Sequence, residues 1–142
     1  MPFPRLSDVN VSQDTLVTIG REQRISADSH MTEPPDLWEK RMPAALRDRA
    51  PRIQNRDTSS GHERAGGWDP YERLKDLAYD GISAEVLYPS RGYAAYTVGD
   101  TELEEVCCRA YNDWMIEFCS VAPQRFWGLA LISLWNIEHA VK

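Results

Sequence analysis

The triplet Asp28-Ser29-His30 carries the most specific chemistry in the chain. A carboxylate oxygen and an imidazole nitrogen are both good ligands for Zn²⁺ or Mn²⁺. Residues two apart on a β-strand project to the same face, so a strand ending at His30 would present both side chains together. That makes Asp28 and His30 candidate ligands for one divalent metal ion, and half of a site. By spacing alone the triplet also reads as a strand-end turn in which Asp28 satisfies backbone N–H groups, which is the commoner use of such a pattern.

Other residues of the right chemistry lie further on. Glu33 follows His30 by three positions and is placed to orient a ligand or the substrate, or to cap the turn at Pro34-Pro35. Ser90 and Arg91 come after a second expected strand, and Trp135 and Asn136 after a third. Arg91 is the candidate for a forked pair with a substrate carboxylate, and Trp135 for a substrate-lining ring. An exposed loop arginine is the plainer reading of Arg91. His62 and His139 fall in a polar loop and on a terminal helical segment, away from strand ends, and read as solvated.

Cys107, Cys108 and Cys119 are odd in number, and the first two diverge by about 100° on a helix. Cys108 and Cys119 would stand roughly 16 Å apart along it, too far for one disulfide or one metal. Reduced, mostly buried thiols are expected.

The elements that must position these groups alternate between strand and helix. Residues 24–30 read as a strand, stopped by Pro34-Pro35. Residues 36–42 form a short turn, and 47–67 are polar and irregular, as in lids or disordered loops. Asp69 as N-cap, Pro70 at the first position and Glu72 two further on open a helix that Gly81 ends. Residues 82–88 make a second strand between Gly81 and Pro89.

Thr101 and Glu104 form a capping-box pattern before a long helix. Leu103, Val106, Cys107, Ala110, Tyr111, Trp114, Phe118 and Val121 give it one apolar stripe. Residues 126–134 read as a strand buried on both faces, and 136–142 as the start of another helix. This order is that of repeated βαβ units and a parallel sheet, an α/β fold.

The flanks of the triplet make it more specific. Ile25 through Trp38, I-S-A-D-S-H-M-T-E-P-P-D-L-W, resembles the first-strand signature of the amidohydrolase-related family that includes aminocarboxymuconate-semialdehyde decarboxylase. The resemblance continues in G-G-W-D-P-Y-E-R-L-K-D-L from Gly66, D-G-I-S-A-E-V-L-Y-P from Asp80 and R-A-Y-N-D-W-M-I-E-F-C from Arg109.

It implies a TIM-type (β/α)₈ barrel, of which residues 24–142 would supply about three βα units after an N-terminal extension at 1–23. It also implies one divalent metal, held at the first strand by H-x-H in many members and by an acidic residue followed by His in others. Asp28 gives the acidic form, so Zn²⁺ and Mn²⁺ both stay open. So do hydrolysis and decarboxylation of a small, cyclic or aromatic carboxylated substrate. A further His and a late-strand Asp would lie beyond Lys142.

The length fits that expectation, since 142 residues fall short of the about 250 of a complete barrel. Three parallel strands leave two open edges, which favours truncation or, alternatively, a non-catalytic interaction module pairing through them. Self-association into a homo-oligomer is expected on the same ground.

A net charge of −6, with no basic and aromatic cluster, argues against nucleic acid. The first 20 residues lack a leader-like apolar run, and no stretch reaches the about 18 apolar residues of a membrane span. A cytoplasmic enzyme with a small-molecule substrate and no membrane partner is the expectation.

Overall fold

The structure is a computed structural model and describes residues 23–52 and 64–141. The extension expected over 1–23, apart from Gln23, lies outside the described residues, as do His62 and much of the polar loop around it. The elements run β1 (Ile25–His30), α1 (Leu37–Arg41), α2 (Pro70–Asp80), β2 (Ala84–Tyr88), α3 (Thr101–Ser120), β3 (Phe126–Gly128) and α4 (Ile137–Ala140). Short 3₁₀ helices stand at Ala44–Arg49, Ala65–Gly67 and Arg91–Thr97.

The three strands form one sheet in the order β1-β2-β3, and both pairings are parallel. Each strand reaches the next through a helix, α2 for β1 to β2 and α3 for β2 to β3. The chain is a mixed α/β protein built on a three-stranded parallel sheet.

The helix termini follow from side-chain chemistry. The Asp69 carboxylate accepts from the backbone N–H of Tyr71 at 2.8 Å and of Glu72 at 3.2 Å, which satisfies two of the donors that start α2. Gly81 ends it at φ 68°, a left-handed conformation that costs glycine nothing, while Ile82 N donates back to Leu77 O.

At α3 the capping expectation is corrected by one residue. Asp100 is the N-cap, its extended backbone letting the carboxylate accept from Leu103 N at 2.8 Å. Thr101 is already helical, and the Glu104 carboxylate accepts from the Trp135 indole instead of turning back to the helix start.

The apolar stripe of α3 is buried as its spacing predicts, from Leu103 through Tyr111 and Trp114 to Phe118. Tilted ring pairs run Tyr111–Trp114–Phe118–Phe126, with centroids 5.3 to 5.9 Å apart, and the last pair joins helix to sheet. Leu37 and Trp38 of α1 pack into the same core, and the Trp38 indole donates to Cys107 O. The cysteines are free thiols, Cys107 and Cys108 buried and Cys119 half-buried. Burial pushes Cys107 up to about 12 and Cys108 and Cys119 up to about 11.

The third strand departs from the expectation. Its ladder covers Phe126–Gly128 rather than 126–134: after one more backbone bond, from Leu129 N to Leu87 O at 3.0 Å, β2 ends at Tyr88. Beyond it, side chains take over the pairing. Asn112 accepts from Leu131 N at 2.8 Å and donates to Leu131 O at 2.9 Å, and the Tyr96 hydroxyl bridges Ile132 N and O in the same way.

Nor is this run buried on both faces. Phe126, Leu131 and Ser133 are buried, whereas Trp127, Ile132 and Leu134 are exposed, since the helices of the described residues cover the other face of the sheet. No helix of the described residues is long and apolar enough to cross a membrane.

Candidate functional site

The register of β1 against β2 decides where Asp28 and His30 point. Ser26 pairs with Glu85 and Ser29 with Leu87, so three steps on β1 match two on β2 and one extra residue is bulged at Ala27-Asp28. Paired residues of a parallel ladder share a face, which sets Ser26 and Ser29 together with Glu85 and Leu87. Their hydroxyls accordingly hydrogen-bond at 2.8 Å, a contact that residues three apart on a regular strand would not make.

That face carries the helices. Leu87 is in the core, and Glu85 is buried against Arg73 of α2 through two hydrogen bonds of 2.6 and 2.9 Å. Asp28, His30 and Tyr88 fall on the opposite, open face.

There the Asp28 Oδ1 and His30 Nε2 atoms lie 3.4 Å apart, on side chains that are mostly exposed. Two ligand atoms each about 2.1 Å from a tetrahedral ion stand about 3.4 Å apart, so the pair fits a shared divalent metal. The donor set, one carboxylate and one imidazole, suits Zn²⁺ or Mn²⁺. Among the described residues no group of three or more His, Cys, Asp and Glu is gathered for a metal.

His30 is held on several sides. Its Nδ1 is 3.2 Å from Ser90 Oγ, its ring lies 5.8 Å from that of Tyr88 at 33°, and its carbonyl accepts from Arg73 Nη1 at 3.1 Å. Arg73 thus joins the end of β1 to α2 and to Glu85 at once, a buried ion pair whose guanidinium also serves carbonyls, as such pairs need. Met31 N continues the ladder to Tyr88 O, which keeps the ends of β1 and β2 in step.

Glu33 and Arg91 are also brought together. Glu33 is 0% exposed, and its carboxylate accepts from Ser90 N at 3.0 Å and Arg91 N at 2.7 Å. The Arg91 guanidinium donates to the Glu33 carbonyl at 3.2 Å. Glu33 therefore meets the open face by way of the loop after β2, through backbone that leads directly to Ser90. Trp135 is bonded elsewhere: its indole N–H donates to Glu104 of α3 at 3.1 Å while the ring stays exposed.

Asn136 caps α4, accepting from His139 N. His139 pairs with Glu105 at 3.0 Å, and that hydrogen bond, with the charges of His139 and Arg109, holds the Glu105 carboxyl below its ordinary range. The ring of Tyr88 and the grip of Arg73 on His30 were not legible in the triplet. The nearest sequence signal for Tyr88 is its place as the last residue before Pro89, at the end of a strand neighbouring His30.

No protein-family model matches the chain, and no curated protein matches it.

Proposed function

We propose that Asp28 and His30 are the first two ligands of a divalent metal, Zn²⁺ or Mn²⁺, in an amidohydrolase-type (β/α)₈ barrel enzyme whose first three βα units this chain supplies. The observation that carries the reading is the 3.4 Å approach of Asp28 Oδ1 to His30 Nε2. It falls at the C-terminal end of a parallel strand, on the face away from the helices, where barrel enzymes keep their reacting groups. The motif resemblance supplies the reaction class, hydrolysis or decarboxylation of a small, cyclic or aromatic carboxylated substrate.

A divalent ion at this place supplies Lewis-acid polarisation of a substrate oxygen and acidification of water. The chain's own residues do the rest of the work available to them. Asp28 brings a carboxylate oxygen and His30 an imidazole nitrogen, with Ser90 and Tyr88 beside the imidazole ring. Arg91, anchored on Glu33 beside the same strand ends, is the cation for a substrate carboxylate.

Metal titration by calorimetry and by metal analysis of the dialysed chain tests this. Two protein ligands should hold Zn²⁺ or Mn²⁺ weakly, and Asp28→Ala or His30→Ala should each remove the binding. Stoichiometric low-micromolar binding would contradict a two-ligand half-site. Binding that survives both substitutions would place the metal elsewhere and end the reading.

The exposed apolar side chains favour a second reading. Trp127 is 43% and Leu134 72% exposed, on or beside a sheet whose two edges have no strand partner among the described residues. A catalytically incomplete interaction module that pairs through this surface would account for them.

A further inference from the structure

We propose that Arg73 is a positioning residue for the end of β1, holding His30 where its side chain meets that of Asp28; the consequence for metal binding rests on the reading above. The need for such a residue comes from the bulge. Pairing with β2 is interrupted between Ser26 and Ser29 and resumes at Ser29 and His30, so Asp28 lies within the interruption and His30 beyond it. A bulge bends its strand and leaves the extra residue unpaired. Strand alternation brings Asp28 and His30 to one face, but the 3.4 Å approach of Oδ1 to Nε2 also depends on how β1 is held past that bend.

Arg73 grips the strand there from the helix layer. Its Nη1 donates to His30 O at 3.1 Å and to Gly66 O at 3.3 Å, while Nε and Nη2 are both spent on the Glu85 carboxylate at 2.6 and 2.9 Å. The Arg73 and Glu85 side chains are 13% and 4% exposed, so this fork is shielded from water and fixes the guanidinium plane. Nη1 is then a rigid donor whose place is set by β2 through Glu85. The loop that carries Gly66 is itself seated on the exit of β1: Thr32 N donates to Gly67 O at 2.9 Å, and a Cβ at Gly67 would come within 2.7 Å of the Thr32 Cβ.

An ion pair that only tied α2 to β2 would need the charge and the side of the guanidinium that faces Glu85. The bond to His30 O needs the planar fork as well, because it lets one group serve the carboxylate and the carbonyl from different nitrogens. Lysine keeps the charge and loses that geometry, so Arg73→Lys separates the two roles.

The metal-free 142-residue chain provides the test. The His30 and Tyr88 rings, with centroids 5.8 Å apart, should show a nuclear Overhauser contact in the wild type, the His30 signals being assigned by their loss in His30→Gln. Arg73→Lys should keep the wild-type helix signal and lose most of that contact. Zn²⁺ affinity, read from the same His30 signals, should fall about tenfold or more. In Arg73→Ala, millimolar guanidinium, well below denaturing concentrations, should restore both. Glu117→Gln, which takes the charge from the Arg41 pair between α1 and α3, should change neither.

If one of the two Arg73 variants does not fold, the other carries the test. A wild type without the ring contact, or a folded Arg73→Lys that keeps it, overturns the proposal. So does an Arg73→Lys that loses the contact but binds Zn²⁺ as tightly as the wild type. An equal loss in Glu117→Gln overturns it too, since stability alone would then explain the effect. If the contact follows Arg73 as expected but Zn²⁺ perturbs His30 in no variant, wild type included, the positioning stands and the metal reading fails.

Discussion

At the scale of single residues, burial separates groups that have found partners from one that has not. Tyr111 is wholly buried in the α3 stripe, and its hydroxyl meets no hydrogen-bond partner among the described residues. Burial, and then the negative charge of Glu33, push its ionisation above the ordinary phenol range. Its ring is used, packing on Trp114 and against Gly92, so the stabilising part of the residue is the part that phenylalanine shares. Tyr111→Phe should leave stability unchanged or raise it by up to about 1 kcal/mol, since an unpaired buried hydroxyl is a net cost. A urea midpoint lowered by the substitution would show that the hydroxyl has a partner after all.

Between elements, the tie of α1 to α3 is a forked ion pair, Arg41 to Glu117 at 2.9 and 2.6 Å. The hydrogen bonds and charge of Arg41 hold the Glu117 carboxyl below its ordinary range. The sign follows from proton linkage: with the folded pKa depressed, the pair's contribution is complete above the ordinary carboxylate value of about 4.3 and is lost as pH falls below it through the folded value. Glu117→Gln should cost up to about 1 kcal/mol near neutrality, as expected for a partly buried surface pair of good geometry. The difference from wild type should vanish in denaturation measured well below pH 4. A constant difference across that range would mean that the charge contributes nothing.

The same elements show what a sequence can and cannot carry. The helix α2 is legible to the residue, because Asp69, Pro70 and Gly81 act through local backbone geometry. The long stripe of α3 is legible for the same reason, and its cap slipped by one only because Asp100 and Thr101 are both competent caps and backbone conformation chooses between them. β3 was overextended because an apolar run records burial in a fold and says nothing of where the neighbouring strand ends. The bulge at Ala27-Asp28 left no trace in residue types, yet it decides which face Ser29 and Ser26 share. Of the site, the Asp28–His30 approach follows from strand alternation, whereas the route from Glu33 to Ser90 joins residues 57 apart and needs the fold.

For the whole molecule, the open face of the sheet makes a prediction independent of any chemistry at His30. Trp127 and Leu129 alternate with the buried Phe126 and with Gly128, where a Cβ would run into Met115 of α3, so they project away from the helices. Ile25, 49% exposed, is also left largely uncovered on β1, and Ile132 and Leu134 continue the exposed apolar residues past β3. Apolar surface gathered in this way is unusual for a monomer, and β1 and β3 each have one edge without a strand partner among the described residues. Sedimentation velocity should show concentration-dependent self-association, since a second copy is the one apolar partner always present. Trp127→Glu combined with Leu129→Lys should shift the chain toward monomer without lowering its helix signal, because neither side chain is part of the core cluster. A wild-type chain that sediments as one monomeric species at high concentration would show that this face tolerates water.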